Sequence, residues 1–265
     1  MKKSFAVFLG LALAAMCQFV LAAPAVVNAL VGTAQAIPDT GSSRALRNGD
    51  SVNERDTIVT AQNSGLVLLF EDGQVAAIGA NSRMTVTAYK YDVKEPAKGN
   101  VLLSLLTGSM RAVTGLIGKT RPENVAFRAG TATIGIRGSD VSFATEGGNV
   151  VVTVADGAIA FTFQGQTVSI PAGQAALTQD GRVTTGTVAA IKAAVASNAA
   201  LSSALNSVST TALENAVKDA VKAADDKAKA AKAAADTAAA ALPPINSQPP
   251  VNNQPTCGAN CSSPN

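Results

Sequence analysis

The stretch TATIGIRGSD, from Thr131 to Asp140, contains the combination of residue types in this sequence that most resembles a functional site. It begins as a strand-like run and then places Arg137 and Gly138 where the next apolar residue is due, and Ser139 and Asp140 follow. These residues could contact a ligand. They could also organise the structure, because a guanidinium offers five donors that cap carbonyls or pair with a carboxylate, and a glycine lets the backbone bend. We predict the structural role for all four residues and keep ligand contact as the alternative.

Two other stretches look like binding motifs at first sight. Asp50, Glu54 and Asp56 lie close together, but a calcium loop needs oxygen ligands at alternating positions and a later bidentate Glu, which are missing. The segment GLIGKT looks like the end of a phosphate-binding loop, but Thr114 stands where the first glycine is required. We predict a solvated turn and strand for the first stretch and no nucleotide site in the second.

Cysteine and histidine usage limits the remaining chemistry. The chain has no histidine, which excludes Ser-His-Asp and Cys-His nucleophilic systems and zinc sites that use imidazole. Cys257 and Cys261 lie within the last nine residues and could close a small disulfide in an oxidising compartment, or pair between chains. The sequence predicts no catalytic residue, no cofactor and no metal site, and the protein is not expected to be an enzyme.

Charge and aromatic content argue against nucleic acid as a partner. From position 24 to position 186 there are 13 basic and 13 acidic residues, and no basic stripe stands out. There is no Trp, and aromatic residues make up 4% of the chain, which weakens any case for stacking on bases or sugars.

The first residues predict a secretory signal peptide. Lys2 and Lys3 precede an apolar run from Phe5 to Leu21, and the small residues Ala22 and Ala23 close it. We predict cleavage after Ala22. A membrane anchor is the alternative, although the run is at the lower edge of what spans a bilayer. No second stretch is long and apolar enough to cross a membrane, so we expect an exported bacterial protein, periplasmic or secreted.

The elements that position these residues are predicted to be strands, followed by helices. Short β-branched runs alternate with turn signals, and Asp72-Gly73 and Asp156-Gly157 are typical of hairpin turns because Gly, and Asp more than most residues, tolerates positive φ. The pattern indicates an all-β domain of antiparallel hairpins and leaves a sandwich, a roll or barrel, and a short β-helix-like coil open. Leu116 and Ile117, in a glycine-rich loop, either pack back on the core or contact a partner.

Beyond position 186 alanine dominates, and alanine has the highest helix propensity. Apolar residues at three- and four-residue steps predict two helices, or one with a break near Ser207 to Thr211, whose first part lies on the β domain. Beyond Lys222 we predict a solvated helical spacer. The predicted organisation is a signal peptide at 1–22, a β domain at 30–186, an Ala-rich helical region at 187–242 and a disordered Pro/Asn-rich tail at 243–265.

The region from Leu30 to Val183 resembles the FecR domain. The most specific element is a Thr/Ala-rich strand ending in Arg-Gly-Thr, matched by Thr131 to Ser139 with Ser139 in place of Thr and Ala129-Gly130 in place of the usual Thr-Pro. Other similar elements are Leu30 to Ala34, Leu46 to Asp50, Thr57 to Thr60, Leu68 to Gly73, Asn81-Ser82, Gly108 to Arg111, Gly157 to Ile159 and Gly173-Gln174.

This resemblance implies a binding or sensing role without catalysis. The named member of the family is a signal transducer in bacterial iron-citrate uptake with a cytoplasmic anti-sigma segment. A signal peptide stands in place of that segment here, so anti-sigma activity is not carried over. We expect a module that binds another envelope protein in sensing, signalling or scaffolding. The alternative is a structural or surface protein that assembles or tethers through its helical C-terminal region and cysteine tail.

Overall fold

A computed structural model describes residues 23–240 of the chain. The predicted signal peptide, the predicted tail and Cys257 and Cys261 lie outside the described residues. The described part begins with 15 strands that form one sheet. Their bounds are β1 Ala25–Val31, β2 Ala34–Ile37, β3 Arg44–Ala45, β4 Ser51–Val52, β5 Thr57–Thr60, β6 Gly65–Phe70, β7 Val75–Ile78, β8 Arg83–Lys90, β9 Asn100–Val113, β10 Val125–Ala129, β11 Ala132–Glu146, β12 Asn149–Phe163, β13 Gln166–Pro171, β14 Gln174–Gln179 and β15 Arg182–Thr187.

The sheet changes partners along its three longest strands. The first half of β9 pairs with β8 and β10, and its second half pairs with β7 and β11. Likewise, β11 passes from β10 to β9, and β12 passes from β14 to β13. The sheet therefore folds along a line through these strands, and the inward side chains of both parts meet in one apolar core. The predicted all-β fold is confirmed.

A glycine with positive φ marks the bend in each of the three long strands: Gly108 at 89°, Gly138 at 67° and Gly157 at 72°. Side chains of a regular strand alternate between faces with a period of two. In β11 the core residues are Ile134 and Ile136 before the bend and Val141 and Phe143 after it, so the alternation shifts by one position. Each bend thus keeps apolar side chains on the core side while the strand changes direction.

This arrangement corrects the prediction of a hairpin turn at Asp156-Gly157. Both residues lie inside β12, which continues unbroken from Asn149 to Phe163. An Asp-Gly pair signals a backbone that tolerates positive φ, and a bulge inside a strand uses that conformation as readily as a turn does. Asp72 and Gly73, by contrast, lie in the turn between β6 and β7, where Gly73 has a φ of 81°.

One strand pair departs from the expected antiparallel hairpins. β10 runs parallel to β9, with Val125 opposite Val101. Parallel neighbours need a crossover, and here it consists of helix α1, Leu116–Thr120, and a 3-10 turn, Pro122–Asn124. Ile117 is buried in the core, whereas Leu116 is 40% exposed, so only one member of the apolar pair packs back.

Three helices follow the sheet: α2 Val188–Val195, α3 Ala199–Ser207 and α4 Thr211–Ala240. The side chain of Thr187 accepts a hydrogen bond from the Ala190 amide, and that of Asn198 accepts one from the Leu201 amide. Such N-caps satisfy amides that have no partner inside the helix. The predicted helical region is confirmed, and the expected break near Ser207 separates α3 from α4.

The helices cover the outer face of one part of the sheet. Ile191, Val195, Leu201 and Leu205 pack against a group that includes Val151. A second cluster joins the start of α4 to β6 and β7 and contains Val67, Val75, Ala77, Val208, Leu213, Val217 and Ala220. From position 225 to position 234 the side chains of α4 are exposed, so its later part is solvated. One compact unit ends at Ala228 and a second begins at Lys229. No helix within residues 23–240 has the length and apolarity needed to cross a membrane.

Candidate functional site

The bend in β11 is held together by Ser139. This residue is buried, and its hydroxyl donates a hydrogen bond to the carbonyl oxygen of Ala158 on the neighbouring strand. Its amide donates to the hydroxyl of Thr114 at 2.8 Å, and that hydroxyl donates to the carbonyl oxygen of Ser139 at 2.7 Å. Ser139 therefore connects the bends of β11 and β12 to the end of β9, which is a structural role.

Asp140 is held by an arginine from the neighbouring strand. The guanidinium of Arg111 donates to both carboxylate oxygens of Asp140, at 2.9 Å and 2.6 Å. The two side chains are only 25% and 20% exposed. Asp140 also lies opposite Asp156 in the strand register, so Arg111 compensates one of two facing acidic residues.

The predicted structural role of the Arg137 guanidinium is wrong. Arg137 is exposed, and its side chain makes no hydrogen bond or ion pair within the part of the chain that the structure describes. The arginine that pairs with a carboxylate is Arg111, which the sequence prediction did not assign to the site. A basic residue near the end of a long, mostly apolar strand was the available signal, but its partner is 29 residues away.

A groove opens beside the bend and has a volume of about 710 Å³. We call it the Arg137 groove. One wall is formed by α1 and the 3-10 turn, the floor by β10, β11 and β12, and the far rim by the bend itself. Its lining consists of Gly118, Lys119, Pro122, Glu123, Val125, Ala126, Gly135, Ile136, Arg137, Gly138 and Ala160.

The wall formed by α1 is anchored by a buried carboxylate. Asp72 accepts hydrogen bonds from the amides of Gln74, at 3.1 Å, and Ile117, at 3.3 Å, and its carbonyl accepts one from the Leu116 amide at 2.8 Å. The hydroxyl of Tyr89 donates to the same carboxylate at 3.3 Å. Asp72 therefore links the turn between β6 and β7 to the first residues of α1.

Burial raises the pKa of Asp72, although the hydrogen bonds it accepts act in the opposite direction. A carboxyl whose pKa is higher in the folded chain binds its proton more tightly there. This group therefore contributes stability as the pH falls from neutral through the raised pKa toward the unfolded value of about 3.9. We expect wild type to gain stability relative to Asp72→Asn over this range, measured by urea unfolding at several pH values.

The matched control for that prediction is Asp92→Asn, which removes one negative charge from an exposed loop residue. If wild type instead loses stability relative to Asp72→Asn as the pH falls, folding favours the ionised carboxylate and the burial argument is wrong.

The other candidate motifs have separate local roles. Asp50 accepts a hydrogen bond from the Arg47 amide, and Asp56 is buried and pairs with Arg44 at 2.9 Å. The predicted solvated setting is therefore wrong for Asp56, which lies just before β5 and is held by Arg44 and the Asn53 amide. Within residues 23–240 no cluster of three or more Cys, Asp or Glu side chains is arranged to hold a metal ion.

Residues 56–160 match the FecR family, described as FecR protein. This part of the chain is a FecR domain. The match is narrower than the predicted region from Leu30 to Val183. It includes the Arg111–Asp140 pair, the three bends and every residue that lines the Arg137 groove. The FecR match relates the chain to regulatory proteins in signalling.

Solved structures also resemble the fold. A crystal structure described as a "putative anti-sigma factor" from Parabacteroides distasonis ATCC 8503 is 14% identical with a TM-score of 0.41, covering 49% of this chain and 59% of that one. A second crystal structure with the same description gives the same values. The chain thus spans less than two thirds of that protein. A comparison with curated proteins finds no match.

Proposed function

We propose that this chain is an exported, non-enzymatic module of the bacterial cell envelope that binds another protein in sensing or signalling. The FecR match over residues 56–160 carries the proposal, because it relates the chain to regulatory proteins. Export is supported by the sequence alone: Lys2 and Lys3, the apolar run that follows and the small residues at Ala22 and Ala23.

Electrostatics and chemistry favour a protein partner over other classes. Basic and acidic residues balance between positions 24 and 186, so this region has no net positive charge to attract nucleic acid or an anionic membrane. The buried or half-buried polar side chains of the FecR bend are used within the fold: Ser139 bonds Ala158 and Thr114, and Asp140 bonds Arg111. A partner would therefore be recognised by residues on the surface of the domain.

Export and partner binding can be tested together on a chain carrying a C-terminal tag in the native bacterium. We expect the tagged protein in the periplasmic or secreted fraction, and its measured mass should be that of a chain beginning at Ala23. Cross-linking of intact cells should join it to one other protein. A chain that stays in the cytosol with residues 1–22 attached would contradict export.

The same experiment separates this function from tethering through the tail. Assembly through Cys257 and Cys261 would give oligomers on a non-reducing gel that disappear with reductant. A binding module should instead keep its cross-linked partner when both cysteines are replaced by serine.

A further inference from the structure

The floor of the Arg137 groove is a row of small residues on three adjacent strands. Ala126 lies opposite Gly135, and Gly135 lies opposite Ala160. All three are half-buried, so no long side chain covers the backbone there. Small residues on a sheet let another chain approach its surface closely. The floor can therefore take an extended segment lying across the strands.

The rims of the groove carry positive charge that the fold does not use. Lys119 comes from α1 and Arg137 from β11, and neither side chain makes an ion pair with any residue the structure describes. The one acidic residue of the lining, Glu123, pairs with Arg121 at 3.3 Å, which offsets its charge. The groove therefore presents two cations across an apolar floor, and complementary charge on a partner would fix its register.

Arg137 differs from its neighbours in the bend. Gly138 provides the positive φ, Ser139 bonds across to Ala158, and Asp140 pairs with Arg111. Only the guanidinium of Arg137 has no task within the described fold, and it stands at the groove rim. A planar fork of donors at a rim suits bidentate contact with a carboxylate.

We propose that the Arg137 groove binds an extended, acidic segment of a partner protein. Small apolar side chains of that segment face the floor, and its carboxylates reach Lys119 and Arg137. The inference rests on the proposed function and names the surface and the chemistry of the partner. A free phosphate or nucleotide fits less well, because the floor is apolar and the two cations stand at its rims.

The test places a photo-crosslinking amino acid, p-benzoylphenylalanine, at Glu123 in the full chain in its native cells. Glu123 lines the groove and its side chain is 62% exposed, so the substitution costs only the surface pair with Arg121. The same amino acid at Thr184, an exposed position on β15, reports on a different surface. We expect a cross-link from Glu123 to a protein segment that mass spectrometry shows to be rich in Asp or Glu.

Charge reversal then tests the recognition itself. Lys119→Glu with Arg137→Glu should lower the cross-link yield by at least about fivefold, since like charges then face each other. The matched control, Arg182→Glu with Lys192→Glu, makes the same change in net charge at exposed residues outside the groove and should leave the yield unchanged. Lysines in place of the acidic residues of the partner segment should restore cross-linking to the reversed groove.

Melting curves guard against a folding defect. Arg137→Ala should melt within about 2 °C of wild type, as expected for a surface side chain without partners, and should still lose yield. A cross-linked segment without acidic residues, a lipid, glycan or second copy of this chain as the product, or an unchanged yield after reversal would overturn the groove assignment. Cross-links from Thr184 alone would support a protein-binding function but contradict the groove as its site. The absence of cross-links from both positions would contradict both proposals.

Discussion

Replacing Gly157 with alanine is expected to lower the free energy of unfolding by about 2–5 kcal/mol, the sum of backbone strain and a steric clash. Gly157 has a φ of 72°, which L-residues other than glycine adopt at a cost. An added Cβ would also fall against the carbonyl oxygen of Gly138 and the Cα of Ser139. Both obstacles are backbone atoms held by the paired bends, so neither can move aside. Urea unfolding followed by circular dichroism measures the loss.

Gly138→Ala is the matched control for this prediction. Gly138 has a φ of 67°, but a Cβ there would meet nothing within 4 Å. Its loss should be only the backbone cost, about 1–2 kcal/mol. Equal losses for the two variants would show that the close approach of β11 and β12 contributes nothing beyond backbone strain.

Arg111→Met is expected to cost about 2–3 kcal/mol, somewhat less than breaking a fully buried ion pair. The substitution leaves the carboxylate of Asp140 mostly buried, without its two hydrogen bonds and opposite Asp156. Methionine keeps much of the apolar length of the side chain, so the loss reports on the guanidinium. Thermal and urea unfolding give the change in stability.

A double-mutant cycle isolates the pair. Asp140→Asn in the Arg111→Met background should recover part of the loss, with a coupling of about 1–2 kcal/mol. For comparison, Arg121→Met breaks the exposed pair with Glu123 and should cost much less than Arg111→Met, because solvent screens the pair. If Arg111→Met is no worse than Arg121→Met, the pair at the bend contributes no more than a surface contact.

Local chemistry explains which parts of the fold could be predicted. The strands follow β-branched runs, and the break between α3 and α4 follows an offset in the apolar spacing near Ser207. Helix propensity and spacing are properties of neighbouring residues, so they are visible in sequence. The additional break between α2 and α3 depends on Asn198, whose capping role only the coordinates make plain.

The bends escaped prediction because their signals are ambiguous. Val150, Val152 and Val154 looked like one strand, and Ile159, Phe161 and Phe163 like the next, with a turn at Gly157. Both groups instead face the same core from a single strand, because the bulge shifts the alternation by one position. Sequence spacing alone does not separate a bulge from a tight turn.

The candidate site was located in the sequence, and Gly138, Ser139 and Asp140 have the structural roles expected of them, but the role of the arginine was assigned to the wrong residue. Arg137 was expected to hold the bend, and Arg111 holds it. The choice depends on strand register, which places Val141 opposite Ala112 and so brings Asp140 within reach of Arg111. The Arg137 groove was not foreseen at all, because its wall and floor come together only after β10 crosses over to lie beside β9.

The matched bends in β11 and β12 limit how the length of this domain can change in related proteins. Between the pairs Arg137–Ala158 and Val141–Val154, each strand has three residues. Loss of one of these residues from β11 alone would turn Val141 and Phe143 away from the core and shift the register with β12 by one residue. A tolerated deletion would need an equal loss in the adjoining strand. Insertions and deletions should therefore collect in connections such as the loop at 91–99, where no pairing with a neighbouring strand fixes the number of residues.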